Sequence, residues 1–255
     1  MAEQNRSLIR GIEILKTFKP GIDLLGNGDI AERTGLSKST VSRLTQTLVT
    51  TGMLEHDRKQ RGYRLAPPVL SLAFALKSSS PILSAAAPKM RIYAEKFKVN
   101  IGLASADRDE MVYLESIRYS NRIAFRNVVA GLRVPMELTS LGRAWLAMQE
   151  PTKRQELYEL FKSKRNHDWR KIKEEILQAI EDVQSQDFCH ARWQPGVFAI
   201  STPIQYQNST QHVLNLSISL VDEEPEIKKL SDHLLSLKEE ILKSDANPKR
   251  EITDQ

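Results

Sequence analysis

The sequence is poor in the features that mark several protein classes. Its 255 residues contain one cysteine, Cys189, so no intramolecular disulfide can form and a reducing compartment is expected. No apolar run approaches the roughly 20 residues that a membrane-spanning helix needs. The opening stretch, MAEQNRSLIRGIEIL, is charged throughout and has no secretory h-region. A cytoplasmic location with no membrane partner is therefore expected. The glycosylation-like triplets at Asn5, Asn208 and Asn215 carry no weight without a signal peptide. Neither common glycine-rich phosphate loop is present, and HExxH, CxxC and GxSxG are missing. The usual metal, redox and hydrolase readings thus lose their support. The histidines are His56, His167, His190, His212 and His233. Only His190 has a ligand-type neighbour, Cys189, and adjacent strand residues point to opposite faces. No metal, no cofactor and no catalytic residue is expected. Asp187, His190 and a serine could be drawn as a triad, but nothing positions them.

What is present is ordinary in sum and uneven in place. Apolar residues make up 40% and charged residues 27%, the composition of a globular chain able to bury a sizeable core. The length suits one large domain or two smaller ones. Residues 1–80 hold 12 Lys+Arg against 7 Asp+Glu, whereas residues 81–255 hold 25 of each. The whole net charge of +5 therefore lies in the first third, and such asymmetry points to a nucleic-acid or membrane contact there.

The pattern of that third is specific. SLIRGIEILKTF places Leu8, Ile12, Leu15 and Phe18 at helical spacing, with Ser7 as a candidate N-cap. A short helix fits Gly28 to Thr34, with Gly35 turning the chain. Ser37 then caps SKSTVSRLTQTLVTTG, whose apolar stripe is Val41, Leu44 and Leu48. Two short strands, Met53-Leu54-Glu55 and Tyr63-Arg64-Leu65, flank the basic loop HDRKQRG. Three helices and a hairpin with a basic loop are the layout of a winged helix-turn-helix. The third helix must be small and polar on its outer face to enter a major groove. Lys38, Ser39, Thr40, Ser42, Arg43 and Gln46 are its candidate DNA-binding residues. Arg43 or Gln46 can bond base edges, and Arg58, Lys59 and Arg61 on the wing can reach phosphates. The competing reading of this layout is a small helical domain used for protein contacts.

Pro67-Pro68 breaks the pattern. A helix over about Val69 to Lys77, then Ser78-Ser79-Ser80 and Pro81, reads as a linker. Beyond it, helices are expected at Ile82–Phe97, Ser140–Met148, Thr152–Lys162, Trp169–Gln186 and Pro225–Lys243. Strands are expected at VNIGLAS, EMVYLESI, IAFRNVV, FCHARW, FAISTPI and HVLNLSISL, with turns at Pro195-Gly196 and near Asn208. The mixture makes residues 81–245 an α+β domain. The organisation is 1–66 DNA-binding, 67–80 linker helix, 81–245 α+β domain, and a disordered tail over 246–255.

The stretch GNGDIAERTGLSKSTVSRLTQTLVTTGMLEHDRKQRGYRLAPPVLSLA resembles the DNA-binding domain of IclR-type bacterial transcriptional regulators. The likeness extends further. VPMELTSLGRAWLA looks like that family's segment ending in GKALLA, with Arg143 for lysine. PGVFAISTPI is similar to its GVxCIAAPI strand, with Ala199 for cysteine, and VLNLSISL looks like its late serine-containing strand. The resemblance implies a repressor or activator rather than an enzyme, with a C-terminal GAF-like domain: an antiparallel sheet flanked by helices that binds a small molecule. It also implies homodimers, often paired into homotetramers, on double-stranded DNA with a roughly palindromic operator. By position in the family, effector contacts fall on Ser140, Leu141, Cys189, Ala199, Ser217 and Ser219. The family often has acidic residues where Ala191-Arg192 stands. A small organic acid from carbon or aromatic catabolism is the expected effector. Arg122, Arg126, Arg133, Arg143 and Arg192 are candidate partners for its carboxylate. The alternative of a different class is a hydrolase or other enzyme carrying an accessory DNA-binding domain.

Overall fold

The computed structural model describes residues 4–119, 128–207, 210–220 and 225–244. The chain divides into two compact units, Met1–Ser79 and Ser80–Gln255. The expected tail over 246–255, Arg122, Arg126, the turn at Asn208 and most of the IAFRNVV strand lie outside the described residues.

The first unit comprises α1 (Arg6–Leu15), α2 (Asn27–Thr34), α3 (Lys38–Thr50), β1 (Leu54–Asp57), β2 (Gly62–Leu65) and α4 (Pro68–Ser79). Its core is Ile14, Leu25, Ile30, Val41, Leu44, Leu54 and Tyr63. Two expectations for α1 are corrected. Its N-cap is Asn5, whose side chain accepts from the Ser7 and Leu8 amides, both at 3.1 Å. Asn at this place satisfies two otherwise orphaned donors. The buried face is also different. Gly11 and Ile14 face inward, Leu15 and Phe18 pack only in part, and Leu8 and Ile12 are exposed. α1 is strongly amphipathic, but most of its apolar stripe, Leu8, Ile9 and Ile12, stays exposed in this unit, so periodicity selects a face that α2 and α3 do not cover.

The second unit is a six-stranded antiparallel sheet with helices on both faces. In chain order come α5 (Pro81–Phe97), β3 (Asn100–Asp107), β4 (Glu110–Ile117), β5 (Arg133–Pro135), α6 (Ser140–Ala147), α7 (Pro151–Arg165), α8 (Trp169–Gln186), β6 (Cys189–Ala191), β7 (Val197–Ile204), β8 (His212–Ser219) and α9 (Ile227–Lys243). The sheet order is β5-β4-β3-β8-β7-β6. Alternate residues of the central strands feed two different cores. Ile101, Leu103, Phe198, Ile200, Leu214 and Leu216 meet α5 and α9. Ala104, Met111, Cys189 and Val213 meet α6, α7 and α8, whose contributions include Leu141, Ala144, Phe161, Ile176 and Ile180. Burial on both faces explains why these strands read as nearly unbroken apolar runs.

One irregularity matters below. The β3–β4 ladder pairs Ala104 with Tyr113 but Leu103 with Glu115, so Leu114 is an extra residue. The bulge reverses the alternation of β4 beyond it. Tyr113 packs with the α6–α8 core, whereas Leu114 and Ile117 pack with the α5/α9 core. Ser116 returns to the Tyr113 side, opposite Gly102.

Helix α6 lies flush against the segment that precedes it. A methyl group on Gly142 would stand 2.0 Å from the Met136 carbonyl oxygen and 2.3 Å from its Cα. Backbone cannot yield as a side chain does. Gly142→Ala should therefore destabilise the second unit by about 3 kcal/mol, read by urea unfolding of the full chain. Gly28→Ala is the control: a methyl group there meets nothing within 4 Å, and stability should change by about 1 kcal/mol or less.

Candidate DNA interface and ligand cavity

Helix α2 ends on Gly35 in the left-handed region at φ +69°, and its amide bonds the Ala31 carbonyl at 2.9 Å. That sharp stop lets α3 begin two residues later, capped by Ser37. The Ser37 hydroxyl accepts from the Thr40 amide at 3.3 Å and donates to the Thr40 Oγ1 at 2.9 Å. Thr40 is half-buried and tied into this cap. Lys38, Ser42 and Gln46 stand exposed in one row at i, i+4 spacing, with Ser39 and Arg43 exposed beside them. Arg43 also borders a groove between α1 and α3. The inner face of α3 is closed by Val41, Leu44 and Thr45.

The wing is held by one carboxylate. Asp57 accepts from the Lys59 and Gln60 amides, both at 3.0 Å, and from Arg64 Nη2 at 2.7 Å. The Gln60 amide bond, with those from Lys59 and Arg64, holds its pKa below the ordinary carboxylate value. Asp57 thus fixes the turn so that Arg58, Lys59 and Arg61, all exposed, project from its tip. The His56 and Tyr63 rings stack across the hairpin at 4.8 Å.

In the second unit a cavity of about 460 Å³ opens on the sheet face shared with α6. Its walls include Tyr113, Trp193, Val197, Ala199, Asn215 and Ser217. Two of the sequence-derived effector residues, Ala199 and Ser217, are thus brought together, and they are register partners on β7 and β8. The other four do not line this cavity. Ser140 and Leu141 begin α6 and are buried. The Ser140 Oγ accepts from Ser201 Oγ at 2.8 Å, and the Cys189 thiol donates weakly to the Ser140 carbonyl at 3.5 Å. α6 covers the sheet at this point, so these groups satisfy one another. Burial pushes the Cys189 thiol up to about 12, which makes it an inert packing residue at neutral pH. Ser219 closes β8 opposite Val197.

The arginines sort by their partners. Arg133 lines the cavity, but it is bonded to Glu110 at 2.6 Å and to Asp107 at 2.8 Å. Burial opposes its charge, and the two carboxylates outweigh that and raise its pKa. Arg143 is buried beside Glu175 at 2.5 Å. Arg192 lies over the Phe198 ring at 5.6 Å and lines a different concavity together with Arg143. The arginine that sequence alternation overlooks is Arg118, just past β4. It lines the cavity, stands over the Tyr113 ring at 5.6 Å, and among the described residues has no carboxylate partner. Its Nε donates to Ser116 Oγ at 2.6 Å and to the Val128 carbonyl at 3.0 Å, while its Nη2 is buried without a partner. Asn100 braces the same corner. Its amide donates to the Ser217 carbonyl at 3.2 Å and its oxygen accepts from the Tyr119 amide at 3.1 Å.

Residues 7–58 match the family model of the IclR helix-turn-helix domain, and residues 74–241 match that of the bacterial transcriptional regulator IclR C-terminal domain. The HTH-type transcriptional regulator TsaQ1/TsaQ2 of Comamonas testosteroni is 32% identical over 177 residues, which cover 69% of this chain and 63% of that regulator. The Pca regulon regulatory protein of Pseudomonas putida is 27% identical over 84% of this chain and 73% of its own length. Among solved structures, an IclR family transcriptional regulator from Brucella abortus superposes with a TM-score of 0.84 at 30% identity, over 96% of this chain and 94% of that one. An IclR homologue from Microbacterium hydrocarbonoxydans, complexed with 4-hydroxybenzoate, shares the fold with a TM-score of 0.71 at 21% identity, over 94% and 99% of the two chains. The basic helix-turn-helix unit and the sheet unit with its cavity thus match the two family domains in order, and the chain belongs to the IclR family of bacterial transcriptional regulators.

Proposed function

We propose that this chain binds a specific double-stranded DNA site and that a small organic acid in the sheet cavity controls that binding. The observation that carries the DNA reading is the exposed polar face of α3 beside a basic wing in one unit. Lys38, Ser39, Ser42, Arg43 and Gln46 face the groove, Thr40 sets the helix start, and Arg58, Lys59 and Arg61 contact phosphates. The protein is a regulator rather than an enzyme, working in the cytoplasm where its operator is. Arg43→Ala should weaken binding to the cognate operator by about 1–3 kcal/mol and relax its sequence preference. The double change Arg58→Ala, Lys59→Ala should weaken binding to all sequences and flatten the salt dependence. Fluorescence anisotropy across a salt series separates the two; equal losses on cognate and random DNA for Arg43→Ala would remove it from base reading.

The working unit is at least a homodimer. Helix α4 has no buried residue and exposes Leu70, Leu72, Phe74 and Leu76, at 74%, 62%, 71% and 58%. Leu8, Ile9 and Ile12 are exposed on α1 of the same unit. Apolar helices are not left in water over this extent in a stable monomer, and a second copy supplies the matching surface. Two half-sites on a roughly palindromic operator then raise affinity through effective concentration. Phe74→Glu should shift the particle toward monomer in light scattering and weaken operator binding about tenfold or more. A monomeric parent protein that binds the operator with undiminished affinity would overturn this reading.

The effector occupies the cavity beside Ala199 and Ser217. Its walls are mainly apolar with a few placed polar groups, the make-up of a small-molecule site. Among related folds, the Microbacterium hydrocarbonoxydans homologue is complexed with an aromatic acid. The ligand acts on DNA binding only through a difference in affinity between two arrangements of the protein. Ser217→Leu should remove the thermal stabilisation by organic acids while leaving the melting temperature of the free protein nearly unchanged.

A further inference from the structure

The cavity contains two polar atoms whose needs differ. One is the buried Nη2 of Arg118, which has no hydrogen-bond partner among the described residues. The contrast with Arg133 is informative, because that arginine lines the same cavity and is already matched by two carboxylates. Burial lowers the Arg118 pKa, and Tyr113 opposes that lowering. The guanidinium nevertheless remains charged at any physiological pH, so its unpaired Nη2 calls for an anion. The second atom is Asn215 Oδ1. Asn215 is only 2% exposed, and this oxygen accepts no hydrogen bond from the described residues. A buried carbonyl of this kind calls for a donor.

The backbone holds both groups in place. The Leu114 bulge turns Ser116 and Arg118 to the Tyr113 side, and Ser116 with the Val128 carbonyl anchors the guanidinium through Nε. Asn215 stands opposite Gly102 in the β3–β8 ladder. A methyl group on Gly102 would meet Tyr113 Cε1 at 2.4 Å and Asn215 Oδ1 at 2.7 Å. The missing side chain therefore lets Tyr113, under the Arg118 guanidinium, and Asn215 both close over the strand at Gly102.

We propose that Arg118 and Asn215 form a two-point recognition pair, Arg118 for a carboxylate and Asn215 Oδ1 for a hydroxyl, so that the cavity selects hydroxy acids over simple acids. This rests on the reading of the cavity as the effector site. An amine would also donate to Asn215, but it would bring a further cation into a cavity that already holds Arg118 and Arg133. A simple acid satisfies Arg118 and leaves Asn215 unpaired. Sites with a buried group that bonds a substrate hydroxyl discriminate strongly against the analogue without it.

Isothermal titration calorimetry on the full chain tests this with matched probes: 4-hydroxybenzoate against benzoate, and 3-hydroxybutyrate against butyrate. In at least one pair the hydroxy acid should bind about tenfold or more tightly. Asn215→Leu should abolish that difference and keep acid binding. Arg118→Met should weaken both acids by about tenfold to a hundredfold, while the melting temperature of the free protein does not fall, because a buried unpaired charge has been removed. Arg118→Gln is the second variant should the first fold poorly. Equal affinities within both pairs, or acid binding that survives both Arg118 variants, would overturn the pair and leave the effector cavity standing. If none of the acids binds at millimolar concentration, the pair and the effector reading fall together.

Discussion

The close approach of Gly142 to the Met136 backbone ties α6 to the segment that follows β5. With no side chain at that position, α6 sits flush on the sheet and seals the region of Ser201, Cys189 and Val213. The polar groups trapped there pair with one another. Further along the same strands, Val197, Ala199 and Ser217 lie beyond the helix and line the cavity. Cover and opening are two ends of one face. The other face is filled from end to end by α5 and α9 through Ile82, Met90, Leu234 and Ile241. The sheet is therefore rigid from behind and accessible from one side, which suits a site whose walls must hold their positions.

The first unit uses a different economy of material. Seven buried residues make its core, and much of its remaining apolar surface faces outward on α1 and α4. Its functional surface depends on small local devices: the Ser37 cap, the left-handed Gly35 and the Asp57 carboxylate that gathers the wing turn. Each is worth little alone, yet together they set the orientation of α3 and the wing before any DNA arrives. Pre-set contacts of this kind reduce the ordering that binding would otherwise require.

Much of this arrangement is legible in the sequence because it follows simple periods. The stripe Ile172, Ile176 and Ile180 fixes α8 and its buried side, and its bounds, Trp169–Gln186, match those read from the pattern. β4 runs over the eight residues EMVYLESI as read. The buried face of α1 is not legible, since its apolar stripe at Leu8, Ile9 and Ile12 is not the side this unit covers. The lining of the cavity is legible only in part. Family position leads to Ala199 and Ser217, which line it, but also to Ser140, Leu141 and Cys189, which are buried where α6 meets the sheet. Arg118 is missed for a physical reason. Strict alternation from Tyr113 sends residue 118 to the opposite face, and only the extra residue at Leu114 returns it to the cavity. Asn215 is hidden inside the apolar run HVLNLSISL, where attention falls on the serines, although it shares their face.

That extra residue also sets how this cavity can change over time. In a regular strand, a new ligand contact arises by substitution, one side chain at a time. In β4 the chemistry facing the cavity depends on chain length. Loss of one residue at the bulge would exchange the Arg118 side of the segment for the Ile117 side, turning a charged corner into an oily one in a single genetic step. The charge that faces the cavity could thus be exchanged by a three-nucleotide deletion, at the cost of the Ile117 packing against the α5/α9 core and with the DNA-reading unit left as it is.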